Sequence, residues 1–290
     1  MSRTVSILRP MEWAYPVPPA RREVMAATPE TDEGRPPVLF VPGFGHGAWA
    51  FAEHWLEHTA SRGFPAYAMS LRGHGRSGSA AGRAGLRAYT HDVVQVAASL
   101  PRQAVVVGHG AAALVVARAL ARYPARAGVL VSPVLGGWRS GLGALGAALA
   151  RNPFGTLPAF FGAGLRLRRG QLFSRELPAS KADVYTHRLG RASALAQWQL
   201  LLRRDPQPPV GGPPVLVAGS PDDRIVSRAA LERAARAYGG APLLFPGMGH
   251  DLMLDTRWRE PIDAILDWLV TAQPEVPAQA RRDTAARVRG

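Results

Sequence analysis

Short apolar runs alternate with longer segments of helical spacing along most of the chain. Runs of four or five apolar residues are typical of buried parallel strands, whereas the segments between them carry apolar residues on one helical face. The predicted strands are Val38–Val41, Ala66–Ser70, Ala104–Val107, Ala127–Val131, Val215–Ala218 and Leu243–Phe245. The predicted helices are Trp49–Arg62, Tyr89–Ser99, Ala112–Arg122, Arg228–Tyr238 and Arg257–Val270. This alternation predicts an α/β fold in which helices flank a mostly parallel, twisted sheet.

Three regions depart from the alternation. The Pro-rich start, residues 1–36, is expected to hold one or two edge strands, around Met11–Tyr15 and Arg22–Ala27. Residues 136–210 contain no strand-like run, and helical patches are predicted near Leu142–Ala150, Lys181–Leu189 and Ser193–Arg203. Residues 273–290 resemble a disordered basic tail. We therefore expect an α/β core over 1–135 and 211–272, and a helical cap over 136–210.

Composition narrows the class of protein. The 290-residue chain is 47% hydrophobic, enough for one core, and has no cysteine, which excludes disulfides, thiolate metal sites and a Cys nucleophile. The start lacks a signal-peptide core, and no run approaches the ~20 apolar residues of a membrane span. A soluble, cytoplasmic protein is therefore expected.

The formal net charge of +14 comes almost entirely from arginine, with Lys181 as the one lysine. A basic excess of this size is compatible with a nucleic-acid or membrane partner. The arginines, however, are scattered over predicted helices and the tail, and no recognition helix or stacking platform accompanies them. Neither partner is expected.

The segment Gln103–Ala113 reads as an apolar strand, followed by a sharp turn and then by the start of an apolar helix. The turn reads Gly108, His109, Gly110, Ala111, Ala112. This is the context of the G-x-S-x-G nucleophile elbow, with glycine in place of the serine and alanine in place of the last glycine. The residue at the tip of such an elbow is held in a strained conformation that glycine adopts freely.

Four further motifs follow in a definite order. They are Pro36–Trp49 with its PGFGHG loop, Tyr67–Ser77 with LRGHGRS, Val215–Val226 with the PDDRIV turn, and Pro246–Met253 with GMGHDLM. Together with the elbow they resemble the α/β-hydrolase family over roughly residues 37–270. The resemblance implies the chain order nucleophile, acid, histidine that is typical of that fold.

The resemblance also implies roles for particular residues. Asp223, rather than Asp222, is the expected triad acid, and His250 is the expected triad histidine. Backbone N–H groups of Phe44 and Ala111 are expected to form the oxyanion hole, while Gly110 occupies the nucleophile position without a hydroxyl. The chain would thus keep the base His250, the acid Asp223 that orients it and the oxyanion hole, but it would lack a nucleophile.

The cleft under the cap is expected to be bulky and apolar. Candidate substrate-binding residues are Gly43, His46, Trp49, His109, Trp138, Phe160, Phe161 and Trp198. For each cap aromatic, packing of the cap onto the core is an alternative role. His46, His74 and His109 are more often structural in such loops, and His109 should point away from the cleft. Ser132, at a strand end, is favoured as an ordinary strand residue over a relocated nucleophile.

Three functions remain open from the sequence. The first is cofactor-free, metal-free proton transfer at carbon by an epimerase, isomerase or lyase. The missing nucleophile resembles the bottromycin-type peptide epimerases, in which a substrate carboxylate can assist proton removal, so that His250 would be dispensable. The second is a Ser-type esterase or amidase whose nucleophile was lost or replaced. The third is a pseudoenzyme that only binds a ligand. The expected partner is a small-molecule or modified-peptide substrate, and the expected state is a monomer or homodimer.

Overall fold

The computed structural model describes residues 17–78, 84–135, 167–201 and 207–272, together with 146, 149–150 and 153–160. The edge strand expected around Met11–Tyr15 and the tail 273–290 lie outside these residues.

A seven-stranded sheet runs through the described chain in the order β1-β3-β2-β4-β5-β6-β7. The strands are β1 Val24–Ala27, β2 Val38–Val41, β3 Ala66–Met69, β4 Val105–His109, β5 Ala127–Val131, β6 Val215–Gly219 and β7 Leu243–Leu244. The edge strand β1 is antiparallel to β3, and every other pair is parallel. The predicted fold class is therefore confirmed, and the six strands expected to be parallel are all present.

Both faces of the sheet are buried, because alternate residues of each strand point into different hydrophobic clusters. Val105 and Val107 of β4 belong to one cluster, and Val106 between them belongs to the other. Parallel strands covered on both faces read as continuous apolar runs, which is the pattern seen in the sequence.

Helices cover the two faces. They are Trp49–Ala52, Trp55–Ser61, Leu86–Ser99, Ala112–Leu120, Arg228–Arg236 and Arg259–Thr271. The prediction of one helix over Trp49–Arg62 is wrong, since the backbone leaves helical geometry at His54, with φ −143° and ψ −53°. The apolar spacing continues through this break, so the pattern alone could not reveal it. After the break, Trp55 is fully buried and its Nε1–H donates to the carbonyl of Trp258 at 3.0 Å.

The described part of residues 136–210 is helical and contains no strand. Its helices are Pro153–Phe160, Arg169–Leu172, Ala179–His187 and Ala194–Leu201. The last two lie within one or two residues of predicted patches, whereas the first two were not predicted. Of the patch near Leu142–Ala150, the structure describes residues 146 and 149–150, which are helical. No described helix combines the length and apolar content needed to cross a bilayer.

Candidate active site

Gly110 lies at the sharp turn between the carboxyl end of β4 and the helix Ala112–Leu120. Its φ is +53°, a left-handed conformation that side chains with a Cβ adopt only under strain. The turn is fixed from both sides, because the Gly110 N–H donates to the Val131 carbonyl at 3.0 Å and its own carbonyl accepts from Val134 at 2.9 Å. The tip of the elbow is therefore rigid and has no side chain.

Asp223 and His250 come together opposite this turn, from the loops that follow β6 and β7. The Nδ1–H of His250 donates to Asp223 Oδ2 at 2.7 Å. The other carboxylate oxygen accepts backbone N–H groups of Ile225 and Val226 at 2.7 and 3.1 Å, which fixes its orientation. The neighbouring Asp222 is exposed and instead accepts from the Gly247 N–H. The structure thus pairs His250 with the acid that the sequence favoured.

The free nitrogen of His250 faces the elbow tip. A Cβ built on Gly110 would lie 3.1 Å from His250 Nε2 and 3.9 Å from the Cα of Gly43. Because Nδ1 carries the proton that binds Asp223, Nε2 of the neutral ring presents a lone pair towards the space that a nucleophile would fill. The backbone N–H groups of Phe44 and Ala111 have no hydrogen-bond acceptor within the described residues. A base and two unpaired backbone donors therefore adjoin one empty position.

The charge of Asp223 tunes His250 as a base. Burial alone would lower the pKa of His250, but the Asp223 carboxylate and its hydrogen bond raise it by more, and Asp251 adds to the increase. The pKa of His250 therefore lies above its ordinary value. A base with a pKa near the working pH combines a large deprotonated fraction with real basicity, which suits proton abstraction.

A second buried carboxylate, Asp251, was not recognised in the sequence, although it directly follows His250. Its Oδ2 lies 2.9 Å from His46 Nε2, and its Oδ1 lies 3.4 Å from His109 Nε2. Burial favours the neutral acid, but the charge of His46 and its hydrogen bond hold the pKa of Asp251 below its usual range. Asp251 therefore stays ionised and orients His46 in the loop after β2, which is the expected oxyanion loop.

His109 and Ser132 support the His250 backbone. The His109 side chain is 1% exposed, and its Nε2 and the Ser132 hydroxyl both approach the His250 carbonyl, at 3.2 and 2.9 Å. Burial, followed by the charge of His250, lowers the pKa of His109 to about 3, so its ring is neutral. The Ser132 hydroxyl proton is therefore engaged by this carbonyl, as expected for an ordinary residue at a strand end. Its φ of +45° is the one positive value at a described residue other than glycine.

The remaining pocket candidates lie in different surroundings. The Trp49 ring is stacked with the rings of both His46 and Tyr185, and the guanidinium carbon of Arg188 lies 4.1 Å from its centroid. Gly43 approaches His109 so closely that a Cβ there would lie 3.0 Å from Nδ1. Trp198 is 51% exposed on the helix Ala194–Leu201. The backbone of Phe160 ends a described helix. Trp138 and Phe161 lie outside the described residues.

Backbone contacts tie the 167–201 segment to the loops of the site. The Gly190 N–H donates to the Gly45 carbonyl of the oxyanion loop at 2.7 Å, and the Asp251 N–H donates to the Leu172 carbonyl at 3.0 Å. A Cβ on Gly249 would lie only 2.4 Å from that Leu172 oxygen, so residue 249 has no room for a side chain. The positions of the oxyanion and histidine loops therefore depend on this segment.

One group of described side chains approaches a metal-ligand set. The ligand atoms of His109, His250 and Asp251 lie within 4.8 Å of one another. Hydrogen bonds already engage two of these side chains, since His250 Nδ1 binds Asp223 and Asp251 Oδ2 binds His46. The three side chains thus act as parts of a hydrogen-bond network in this structure.

The parallel sheet, the elbow after β4 and the Asp223–His250 pair define an α/β-hydrolase-type protein. A family model described as "Alpha/beta hydrolase family" matches residues 38–268, and the chain belongs to that family. The resemblance inferred from the sequence is thereby confirmed.

Solved structures with the same fold are numerous, but they are distant in sequence. A monoacylglycerol lipase from Paleococcus ferrophilus is 22% identical, with a TM-score of 0.67, over 88% of this chain and 100% of that one. A thermophilic esterase from Thermogutta terrifontis, solved with malate bound, is 18% identical, with a TM-score of 0.66, over 87% and 94%. A putative non-heme bromoperoxidase from Mycobacterium tuberculosis is 20% identical, with a TM-score of 0.64, over 89% and 98%. A comparison with curated proteins finds no significant sequence match.

Proposed function

We propose that the protein is an atypical member of its family that transfers a proton at carbon, as an epimerase or isomerase does, without a covalent intermediate. One observation carries the proposal: His250 Nε2 lies 3.1 Å from the position of a Cβ at residue 110, and that Cβ is absent. The base is held by Asp223 as in a triad, yet no hydroxyl stands between it and a bound substrate.

The reaction follows from the same geometry. A substrate carbonyl oxygen accepts hydrogen bonds from the backbone N–H groups of Phe44 and Ala111. His250 Nε2 then removes a proton from the carbon next to that carbonyl. The electron pair of the broken C–H bond is delocalised onto the carbonyl oxygen, which gives an enolate. The two N–H groups stabilise the enolate oxygen as they would stabilise a tetrahedral oxyanion. A solvent proton that adds to the opposite face of the planar carbon inverts it, and the imidazolium then releases the abstracted proton to solvent, whereas return of the proton by the imidazolium itself restores the original configuration. Asp223 stabilises the imidazolium in between.

The substrate that we propose is bulky and partly apolar, such as a modified peptide or another natural product. The absence of a side chain at residue 110 gives a carbonyl close access to the oxyanion donors. The segment above the site brings Tyr185 against Trp49, next to the oxyanion loop, and that pair supplies aromatic surface.

A second candidate is a Ser-type esterase or amidase whose nucleophile was replaced. The observation that favours it is the similarity to structures of a lipase and an esterase. A triad enzyme without its nucleophile keeps only about 10³–10⁴-fold acceleration over water. Both candidates therefore predict slow hydrolysis of 4-nitrophenyl esters by the wild-type protein. A burst of 4-nitrophenol would require a covalent acyl-enzyme and would contradict our proposal.

Solvent exchange tests the proton transfer directly. A library of N-acylated peptide esters, thioesters and amides is incubated with the protein in D₂O, and mass spectrometry follows the gain of one mass unit without cleavage. We expect exchange at one carbon, with a rate that rises with pH through the pKa of His250, above 6.5.

The variant His250→Ala should reduce this exchange by roughly 10²–10⁴-fold. The matched control is His187→Ala, which removes an exposed histidine whose ring bonds the Asp183 carbonyl of its own helix. Exchange that survives in His250→Ala would assign the base to a substrate carboxylate. Tight binding of a library member with no exchange would show that the protein binds a ligand without chemistry, as a pseudoenzyme does, and would overturn the proposal.

A further inference from the structure

A cavity outside the candidate active site lies where the 167–187 segment meets the loop that carries Asp223. Its volume is about 650 Å³, and its lining includes Arg168, Arg169, Gln171 and Asp183 from that segment. Arg224, from the acid loop, completes the group. The cavity is therefore built by two different parts of the chain.

Three guanidinium groups line this cavity. Within the described residues none of the three forms an ion pair with a carboxylate, and Asp183 is the single acidic side chain of the lining. Arg224 is held in place because its Nη1–H donates to the Gly170 carbonyl, which leaves its remaining N–H groups available. Three positive charges against one negative charge favour an anionic ligand.

Gln171 supplies an independent indication of a ligand. Its side chain is 4% exposed, and its Oε1 accepts the Arg168 N–H at 2.9 Å. Its Nε2 is buried and has no hydrogen-bond partner in the described part of the chain. Buried donors are nearly always paired, so this amide N–H₂, on a residue that lines the cavity beside three arginines, is a donor that an oxygen atom of a ligand could satisfy.

We propose that this cavity binds a small oxyanion, the carboxylate or phosphate group of a metabolite-sized molecule. Arg168, Arg169 and Arg224 would supply charge and paired N–H donors, and Gln171 Nε2 would donate a further hydrogen bond. The ligand bridges the 167–187 segment to the acid loop, one residue from Asp223. The inference does not depend on the proton-transfer proposal, because it concerns binding alone.

Calorimetric titration of the purified protein tests the site with two probes, inorganic phosphate and succinate, each against sodium chloride at equal ionic strength. We expect saturable binding of at least one probe at one site per chain. Arg168→Gln combined with Arg224→Gln should weaken it by about 100-fold, roughly tenfold for each charge-assisted contact. Gln171→Met, which keeps the side-chain volume but removes the donor, should weaken binding by about tenfold.

The matched control removes the same charge elsewhere. Arg233→Gln with Arg236→Gln, both on the helix Arg228–Arg236, should leave the affinity within about twofold. Circular dichroism of each variant shows that the fold is kept. Binding of phosphate alone or of succinate alone, lost in the double variant, identifies the preferred oxyanion. No saturable binding of either probe, or equal weakening in the control, would overturn the proposal.

Discussion

At residue 110 the backbone conformation disfavours a side chain, whereas the position of His250 would suit a side-chain hydroxyl. The backbone φ of +53° penalises a Cβ, whereas His250 Nε2 is placed to accept a proton from an oxygen attached to that Cβ. A Cβ 3.1 Å from Nε2 is a tight contact that requires a shift of a few tenths of an ångström. A hydroxyl can therefore be accommodated, at a cost in stability.

Gly110→Ser and Gly110→Ala separate these two effects. Both variants should lose about 1–2 kcal/mol of unfolding free energy in urea titrations, because both carry a Cβ in the left-handed region. Gly110→Ser alone should gain hydrolysis of 4-nitrophenyl acetate, by at least about 10²-fold over Gly110→Ala, because Nε2 can deprotonate its hydroxyl. Equal rates in the two variants would show that His250 does not reach the new oxygen.

At the scale of elements, Asp255 connects the histidine loop to the segment above it. Asp255 Oδ2 accepts hydrogen bonds from the backbone N–H groups of Gly249 and Ser174, both at 2.9 Å. Its Oδ1 accepts a hydrogen bond from the Ser174 hydroxyl at 2.6 Å. The side chain is 2% exposed, so water cannot replace these bonds. Removing one acceptor leaves buried donors unpaired.

Asp255→Asn should lower the unfolding free energy by about 2–4 kcal/mol, because its amide cannot accept from all of these donors. Hydrogen exchange should accelerate first at the amides of Gly249 and Ser174. The control is Asp263→Asn on the surface helix Arg259–Thr271, whose carboxylate pairs with His58 and Arg62 and should contribute within about 1 kcal/mol. Equal losses in the two variants would contradict a special role for Asp255.

The sequence predicted elements better than it predicted contacts between them. Apolar runs located β2, β5 and the elbow, because burial on both faces leaves a strong local pattern. The break at His54 and the helix Arg169–Leu172 escaped, since each depends on packing partners distant in sequence. Asp251 escaped for the same reason: only the fold brings His46, 205 residues away, against its carboxylate.

At the scale of the whole molecule, two buried neutral histidines contribute to the response to acid. His74 and His109 are 2% and 1% exposed. Burial, opposed in part by a backbone hydrogen bond, lowers the pKa of His74 to about 4, and burial with the charge of His250 lowers that of His109 to about 3. In the unfolded chain both histidines titrate near 6.5. Their stabilisation is therefore present above pH 6.5 and is lost as the pH falls from 6.5 towards 3.

We expect acidification from pH 7 to pH 4 to remove on the order of 5 kcal/mol of unfolding free energy through these two histidines. Urea titrations at a series of pH values measure this loss. His109→Asn should make the acid limb shallower by about 1.4 kcal/mol per pH unit, whereas His187→Asn, at an exposed position, should leave it unchanged. An unchanged slope in His109→Asn would mean that His109 is charged in the folded protein.

The hydrogen bond between Gly190 and Gly45 has a kinetic consequence. An opening that separates residues 190 and 45 to admit a substrate also releases the loop that holds the Phe44 N–H. If the proposed proton transfer needs the Phe44 N–H in place, chemistry and exchange of substrate with solvent would belong to different states of the molecule. Slow release, rather than slow proton transfer, would then set the turnover of a large substrate.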